Sequence, residues 1–308
     1  MDRFRLGIVD CDTSHTYQFS RRLNHVDIEP EQWVDGATVV AAHVGTSRVT
    51  EESRIAEYVA AIRSAGVKLV DSPRDLIGEV DGVLIESNEG GVHLDRARPF
   101  LAAGLPAFID KPLATSTADA RLLLDLAGRA GVPLLSASAL RYAPELVALR
   151  NDAGLGRIEG ADVYAPAKLH DRNPGLFHYG VHGVEMLYTL LGPGCAQVTC
   201  TFDESGEVVV GRWSDGRLGV VRGLRGRTSG YGLTVYGEEA IVSRQVDASW
   251  IYKGLVEAIV GTMLSGKAPV EPAELIEVVA FQEAALQSRN HAGAPVELAT
   301  LLAGGAGD

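Results

Sequence analysis

The rhythm of apolar positions changes near the middle of the chain. Through residues 1–140, short solid apolar runs alternate with stretches whose apolar residues recur at helical spacing. The runs at 5–9, 38–44, 68–70, 82–86, 107–109 and 133–137 read as strands. The stretches at 16–24, 51–65, 75–77, 93–103 and 118–130 read as helices. Ile55, Tyr58, Val59 and Ile62 share one face of the second of these, and Gly66 stands at its C-cap. Strands that are apolar on both faces and alternate with helices predict a parallel sheet covered on both sides.

Beyond residue 140 the strand-like segments fall at 158–164, 197–202, 207–213, 218–224 and 233–235. Short turns such as Asp203-Glu204-Ser205-Gly206 and Ser214-Asp215-Gly216-Arg217 join several of them. Such turns are hairpin signals, so this second sheet should be open and largely antiparallel. Helices at 182–191, 249–264 and 273–290 are expected to flank it. The fold class is therefore α/β: a doubly wound parallel domain over 1–140, then an α/β domain over 141–308.

Composition narrows the function classes. A chain of 308 residues has room for two domains, and its 46% apolar and 22% charged content is that of a globular protein. A net charge of −12 disfavours nucleic acid as a partner, because phosphate binding needs a concentrated positive surface. No apolar run approaches the roughly 20 residues of a membrane helix. The three cysteines, Cys11, Cys195 and Cys200, have neither zinc-ligand spacing nor the number of a disulfide framework. The first residues run straight into a strand with no signal-peptide pattern. These features predict a cytoplasmic protein with no membrane or nucleic-acid partner and no assigned metal.

The candidate chemistry centres on two places. Asp110-Lys111-Pro112 follows the strand at 107–109, and ligands of doubly wound sheets bind outside the carboxyl ends of the strands. His182 lies in Phe177-His178-Tyr179-Gly180-Val181-His182-Gly183-Val184-Glu185. A lysine fixed at a strand end and a histidine near neutral pKa are the residue types of an acid/base pair.

Six segments in order carry a resemblance: His93, Asp110-Lys111-Pro112, Arg141-Tyr142-Ala143-Pro144, Gly154-Leu155-Gly156-Arg157-Ile158, His178-Tyr179-Gly180-Val181-His182 with Glu185, and the 233–241 and 288–298 endings. Over nearly its whole length the chain resembles the glucose-fructose oxidoreductase / inositol dehydrogenase / rhizopine-catabolism family, Gfo/Idh/MocA. The resemblance implies an N-terminal Rossmann domain and nicotinamide-dependent oxidation of a secondary alcohol on a sugar, cyclitol or related polyol. It implies that Lys111 and His182 converge on the substrate carbinol, and a homodimer or homotetramer packed through the second sheet. His182 is expected as general base, Lys111 as the cation on the oxygen and His178 as a further catalytic group, while Arg141, Tyr142, His170 and Tyr179 are candidates for binding substrate hydroxyls. Cofactor contacts are expected from Gly7, Asp12, Thr13, Ser14, His15, Gly45, Thr46, Ser47, Arg48, Ser87, Asn88, His93, Asp110 and Lys111. Redox-neutral chemistry with a retained dinucleotide and a non-catalytic, ligand-sensing role are the alternatives.

Three departures bear on this. The phosphate-binding fingerprint G-x-G-x-x-G is replaced in Gly7-Ile8-Val9-Asp10-Cys11-Asp12-Thr13-Ser14-His15, where Asp10 and Asp12 occupy the first two glycine positions and Ser14 or His15 lies near the third. One like-charge contact at about 4 Å costs roughly 4 kcal/mol at an effective dielectric of about 20. Either the carboxylates cap the following helix while Thr13, Ser14 and backbone N–H groups hold phosphates, or dinucleotide binding is lost, or Asp10, Asp12 and His15 form a new site for a metal or a cationic substrate. The second strand ends Val44-Gly45-Thr46-Ser47-Arg48 without the ribose-binding acid, which favours NADP over NAD. His178 replaces the family's aspartate and supplies no fixed negative charge.

Overall fold

The computed structural model describes residues 3–227 and 229–304. In chain order, the first half contains β1 (Phe4–Val9), α1 (His15–Leu23), β2 (Ala37–His43), α2 (Glu52–Ser64), β3 (Lys68–Val70), β4 (Gly82–Ile85), α3 (His93–Ala102), β5 (Ala107–Ile109), α4 (Thr117–Ala130) and β6 (Leu134–Leu135). There follow α5 (Pro144–Arg150), β7 (Ile158–Pro166), α6 (Val181–Leu191), β8 (Cys195–Asp203), β9 (Gly206–Trp213), β10 (Leu218–Leu224), β11 (Tyr231–Gly237), β12 (Ile241–Val246), α7 (Ile251–Ser265), α8 (Pro272–Asn290), β13 (Val296–Glu297) and α9 (Leu298–Ala303). The chain forms two compact units. The first runs to Ala114 and takes in Leu122–Ala137 and Tyr252–Glu271; the second is made of Thr115–Arg121, Ser138–Ile251 and the chain from Pro272. The division is thus more interleaved than a single cut after residue 140.

In the first unit six strands lie in the order β3-β2-β1-β4-β5-β6, and every pairing is parallel. Leu6, Ile8, Val9, Val83, Leu84 and Ile85 are all fully buried, as central strands covered on both faces require. The winding reverses between β1 and β4, so the crevice outside their carboxyl ends is the topological switch point of the sheet. One helix departs from expectation. From Tyr252 onward α7 belongs to this first unit, and does not flank the second sheet. Its apolar side chains find their partners here: a Cβ on Gly36 would stand 2.9 Å from Val260, and Met263 Sδ lies 3.2 Å from the corresponding point on Gly82.

In the second unit seven strands follow the order β12-β11-β7-β10-β9-β8-β13. All pairs are antiparallel except β7 with β10. The hairpin partner β12 and the two-residue β13 went unpredicted because one is mostly exposed and the other too short to show a period. Gly211 of β9 and Gly219 of β10 face each other in register and open a trough in the sheet surface. Trp213, Phe281 of α8 and Leu187 and Leu191 of α6 fill it, all buried. None of the helices among the described residues is long and apolar enough to cross a membrane.

A Cβ at Gly211 would lie 2.7 Å from Phe281 and 2.9 Å from Trp213, both deep in the core. Gly211→Ala should therefore lower unfolding free energy by about 1–3 kcal/mol through overpacking. A urea titration should show the midpoint fall with the slope unchanged.

Candidate active site

The apolar run of β1 ends at Asp10, which takes a left-handed backbone conformation at φ 64°. Aspartate tolerates that region better than most residues. The turn is tied to the end of β2: Asp10 N donates to His43 O at 3.0 Å and Cys11 N to Val44 O at 2.8 Å. Asp10 Oδ2 accepts from Ser87 Oγ at 2.6 Å and from Arg96 Nε at 2.8 Å. Gly45 has to be glycine, since its Cβ would stand 2.0 Å from Asp10 Oδ1. Asp12 Oδ1 accepts from Asn88 N at 2.8 Å, its Oδ2 from Ser47 Oγ at 2.5 Å, and its carbonyl from Thr50 Oγ1 at 2.7 Å. Burial raises the Asp12 carboxyl above its ordinary range, and the bonds from Ser47 and Asn88 work against that rise. Arg48 makes a two-pronged bond to Glu89. Asp10, Asp12, Ser47, Arg48, Glu89 and Arg96 line a cavity of ≈ 200 Å³.

Neither aspartate caps α1. Its N-cap is Ser14, which makes no side-chain cap bond. The first reading of the turn is thereby corrected: buried carboxylates seek the nearest donors, and those are Ser87, Arg96, Ser47 and Asn88. The third is corrected too, because His15 bonds Asp110 instead. Gly7, expected at the cofactor, lies inside β1 against Leu76 and Val80. His93 is wholly buried and holds main chain together, with Nε2 2.8 Å from Ser87 O and Nδ1 2.9 Å from Pro112 O. A pyrophosphate does not fit this turn in the ordinary manner. The positions that should yield backbone N–H groups and open space carry two buried carboxylates and an imidazole, and a cavity of ≈ 200 Å³ is below the roughly 300–1,000 Å³ of usual cofactor sites.

At the neighbouring strand ends, Glu86 follows β4, Asp110 follows β5, and His15 opens α1. His15 Nδ1 lies 2.9 Å from Asp110 Oδ1 and 3.9 Å from Glu86 Oε2. Thr13 Oγ1 donates to Glu86 Oε2 at 3.5 Å, while Glu86 Oε1 has no hydrogen-bond partner among the described residues. Lys111 Nζ donates to Asp110 Oδ2 at 3.2 Å and Lys111 N to Asp110 Oδ1 at 2.7 Å. Burial and then the Asp110 charge push the Glu86 carboxyl well above its ordinary range. Burial acts the same way on Asp110, but His15 and Lys111 outweigh it and hold that carboxyl below its ordinary range. The two neighbouring acids are thus displaced in opposite directions. The Lys111–Pro112 peptide is cis.

In the second unit, His182 stands in the first turn of α6, and its Nδ1 shares a 2.7 Å hydrogen bond with Ser138 Oγ. Leu140 N donates to the same Oγ at 3.1 Å. Ring contacts link His170, His178, Tyr179, His182 and Tyr231 in sequence, at centroid distances of 5.2, 4.9, 5.9 and 5.8 Å. His170, His178, Tyr179 and His182 are thus gathered as expected candidates, with Tyr179 the most open at 42% exposure. Arg141 is not available for substrate: it is buried between Glu185 and Glu274 and bonded to both. Beside it, burial lifts the Tyr142 hydroxyl to about 12. Sequence reasoning missed Ser138, Arg96 and Glu89. Arg96 and Glu89 lacked any motif, but Ser138 directly follows the strand-like run at 133–137, which was a usable signal. All three cysteines are buried and free.

Residues 39–138 match the family described as "Oxidoreductase family, NAD-binding Rossmann fold". The rhizopine catabolism protein MocA of Rhizobium meliloti is 31% identical over 162 residues, covering 51% of this chain and 44% of that protein. Inositol 2-dehydrogenase of Cereibacter sphaeroides is 31% identical over 138 residues, covering 44% and 36%. The chain thus spans less than half the length of these curated relatives. Among solved structures, GenD2 from gentamicin A biosynthesis in complex with NAD superimposes with a TM-score of 0.79 at 20% identity, over 96% of this chain and 97% of that one. Scyllo-inositol dehydrogenase from Lactobacillus casei, with bound NAD(H) and scyllo-inositol, gives 0.78 at 12% identity over 97% and 100%. At such identities these structures establish the fold alone.

The raised carboxyl of Asp12 has a sign that can be checked. A carboxyl that ionises later in the folded chain makes the fold progressively less stable, relative to the unfolded chain, as pH rises above about 4. Asp12→Asn removes this slope. The stability advantage of the wild type over Asp12→Asn should therefore shrink as pH rises above about 4, measured by thermal melts at a series of pH values. A growing advantage would contradict the assigned direction.

Proposed function

Because the chain belongs to the Gfo/Idh/MocA oxidoreductase family, we propose that it is a divergent oxidoreductase acting on a secondary alcohol of a sugar, cyclitol or related polyol. The observation that carries this reading is that both expected acid/base residues are held by dedicated partners. Asp110 fixes the Lys111 ammonium at the end of β5, and Ser138 fixes the His182 ring. In this reading His182 takes the hydroxyl proton and Lys111 steadies the charge that develops on oxygen, as preorganised donors do; the carbinol hydride would need a nicotinamide dinucleotide as its acceptor. The array of His170, His178 and Tyr179 offers hydroxyl-binding groups to a polyol. Relatives named inositol 2-dehydrogenase agree with that substrate class. We place the enzyme in the cytoplasm.

The turn between β1 and α1 supports only weak dinucleotide binding. It also removes the basis for choosing NADP, since Ser47 is bonded to Asp12 and Arg48 is neutralised by Glu89. The same filled turn favours a second reading, in which the chain senses a ligand or works without net redox change.

An apolar row across the second sheet supports assembly with further copies of this chain. Leu218, Tyr236 and Ile241 stand in register through Gly160, at 52%, 37% and 69% exposure. Light scattering should give a dimer or tetramer, and Ile241→Lys should shift it toward monomer; a monomeric wild type refutes the assembly.

Lys111→Ala and His182→Ala should each lower polyol turnover by about 10²–10⁴-fold with the fold retained by circular dichroism. Unchanged turnover refutes the assignment. NADH and NADPH fluorescence titrations should reach half-saturation only near millimolar concentration, and micromolar binding would overturn the account of the turn. Normal folding with neither turnover nor binding would hand the function to the ligand-sensing reading.

A further inference from the structure

His15 and Asp110, both expected at a dinucleotide, are bonded to each other instead, with Glu86 beside them. We propose that these three residues bind one divalent first-row transition ion, of the Zn²⁺ or Mn²⁺ type. One donor atom from each lies within 4.8 Å of the other two, and all three residues are buried. Donors held tetrahedrally at about 2.0–2.2 Å from one ion stand roughly 3.3–3.6 Å apart. The observed 2.9 Å from His15 Nδ1 to Asp110 Oδ1, and 3.9 Å to Glu86 Oε2, lie on either side of that spacing, within a small side-chain adjustment of it. One imidazole nitrogen and two carboxylate oxygens form a donor set suited to zinc and manganese.

A second observation points to a ligand. Glu86 is fully buried; its Oε2 reaches the cluster, and its other oxygen, Oε1, finds no donor among the described residues, as is also true of Asp10 Oδ1 in the neighbouring cleft. Buried polar atoms in native proteins are nearly always satisfied by a partner, a water or an ion. The groups around the donors are those that orient metal ligands: Lys111 Nζ and N on Asp110, and Thr13 Oγ1 on Glu86. The place also suits a ligand, because Glu86 and Asp110 directly follow adjacent strands of the sheet beside its switch point. Three protein ligands leave positions open for water or a substrate hydroxyl, as in catalytic sites. The rival account is a static hydrogen-bonded cluster with no ion.

The site stands independently of the polyol reading, and its test does not use turnover. Protein purified without chelator or nickel resin is analysed for metals, stripped with EDTA and dialysed against Zn²⁺ or Mn²⁺. About one bound equivalent is expected, with a melting temperature that rises on metal addition. Glu86→Gln and Asp110→Asn, which keep side-chain size, should weaken uptake at least tenfold with the fold intact by circular dichroism. Asp10→Asn, in the neighbouring cleft, should retain it. Less than about a tenth of an equivalent of either ion, with no change in melting temperature, would establish the static cluster instead. Loss of the ion in Asp10→Asn but not in Glu86→Gln would move the site to the cleft and overturn the assignment.

Discussion

Buried carboxylates at the ends of the central strands are the constraint to which the rest of the first unit answers. Asp10, Asp12, Glu86 and Asp110 are between 0% and 4% exposed. Taking one carboxylate out of water costs several kcal/mol unless partners replace its hydration. The surrounding polar residues meet that demand. Arg96 and Ser87 serve Asp10, Ser47 and Asn88 serve Asp12, and His15 and Lys111 serve Asp110. Even the bare backbone of Gly45 belongs to this set, because any side chain there would displace Asp10.

The sign of the charge matters more than its amount. A strand-end crevice of this fold ordinarily receives an anionic group on a helix N-terminus. Here the chain fills the crevice with its own carboxyl groups, and Asp10 Oδ1 and Glu86 Oε1 find no donor among the described residues. A crevice of that kind favours positive charge. The second unit shows the opposite arrangement in its own interior: Arg141 is a buried cation enclosed by Glu185 and Glu274. Removing one member of such a triad leaves an uncompensated charge, so these residues fix the segment from Ser138 to Arg141. Ser138 in turn holds His182. The catalytic candidate therefore depends on a structural ion network as well as on its own helix.

Much of this was legible in the sequence. The six strands of the first sheet showed as apolar runs, most plainly β4 and β5, where burial on both faces leaves no room for polar residues. The end of β5 and the first turn of α6 were found through Asp110-Lys111-Pro112 and His182. The missing glycines at 10 and 12 correctly flagged the turn as abnormal. What could not be read was direction. A sequence does not say that His15 faces Asp110 rather than Asp12, or that Arg48 pairs with Glu89, since those choices are made by side chains from segments far apart in the chain. Arg141 was misread for the same reason: an arginine before a helix looks like a ligand until two distant glutamates claim it. The placement of α7 in the first unit was hidden because an apolar helix carries no label for the sheet it covers.

The same separation explains how the fold persists while the residues of its phosphate turn change. The likeness to GenD2 extends over 96% of this chain at only 20% identity, so few particular side chains are needed to specify the sheet. β1 and β4 are fixed by apolar burial, and the phosphate turn lies just beyond the last buried position of β1, outside the ladder of strand pairs. Residues there are free to exchange glycine for aspartate provided the new carboxylates find donors. Asp10 pays for its left-handed backbone with bonds to Arg96 and Ser87. Once those donors are in place, restoring glycine at position 10 alone would strand Arg96 and Ser87 in turn. The altered turn is thus locked in by its partners, and the chemistry of the crevice follows from the whole set and not from any one residue in it.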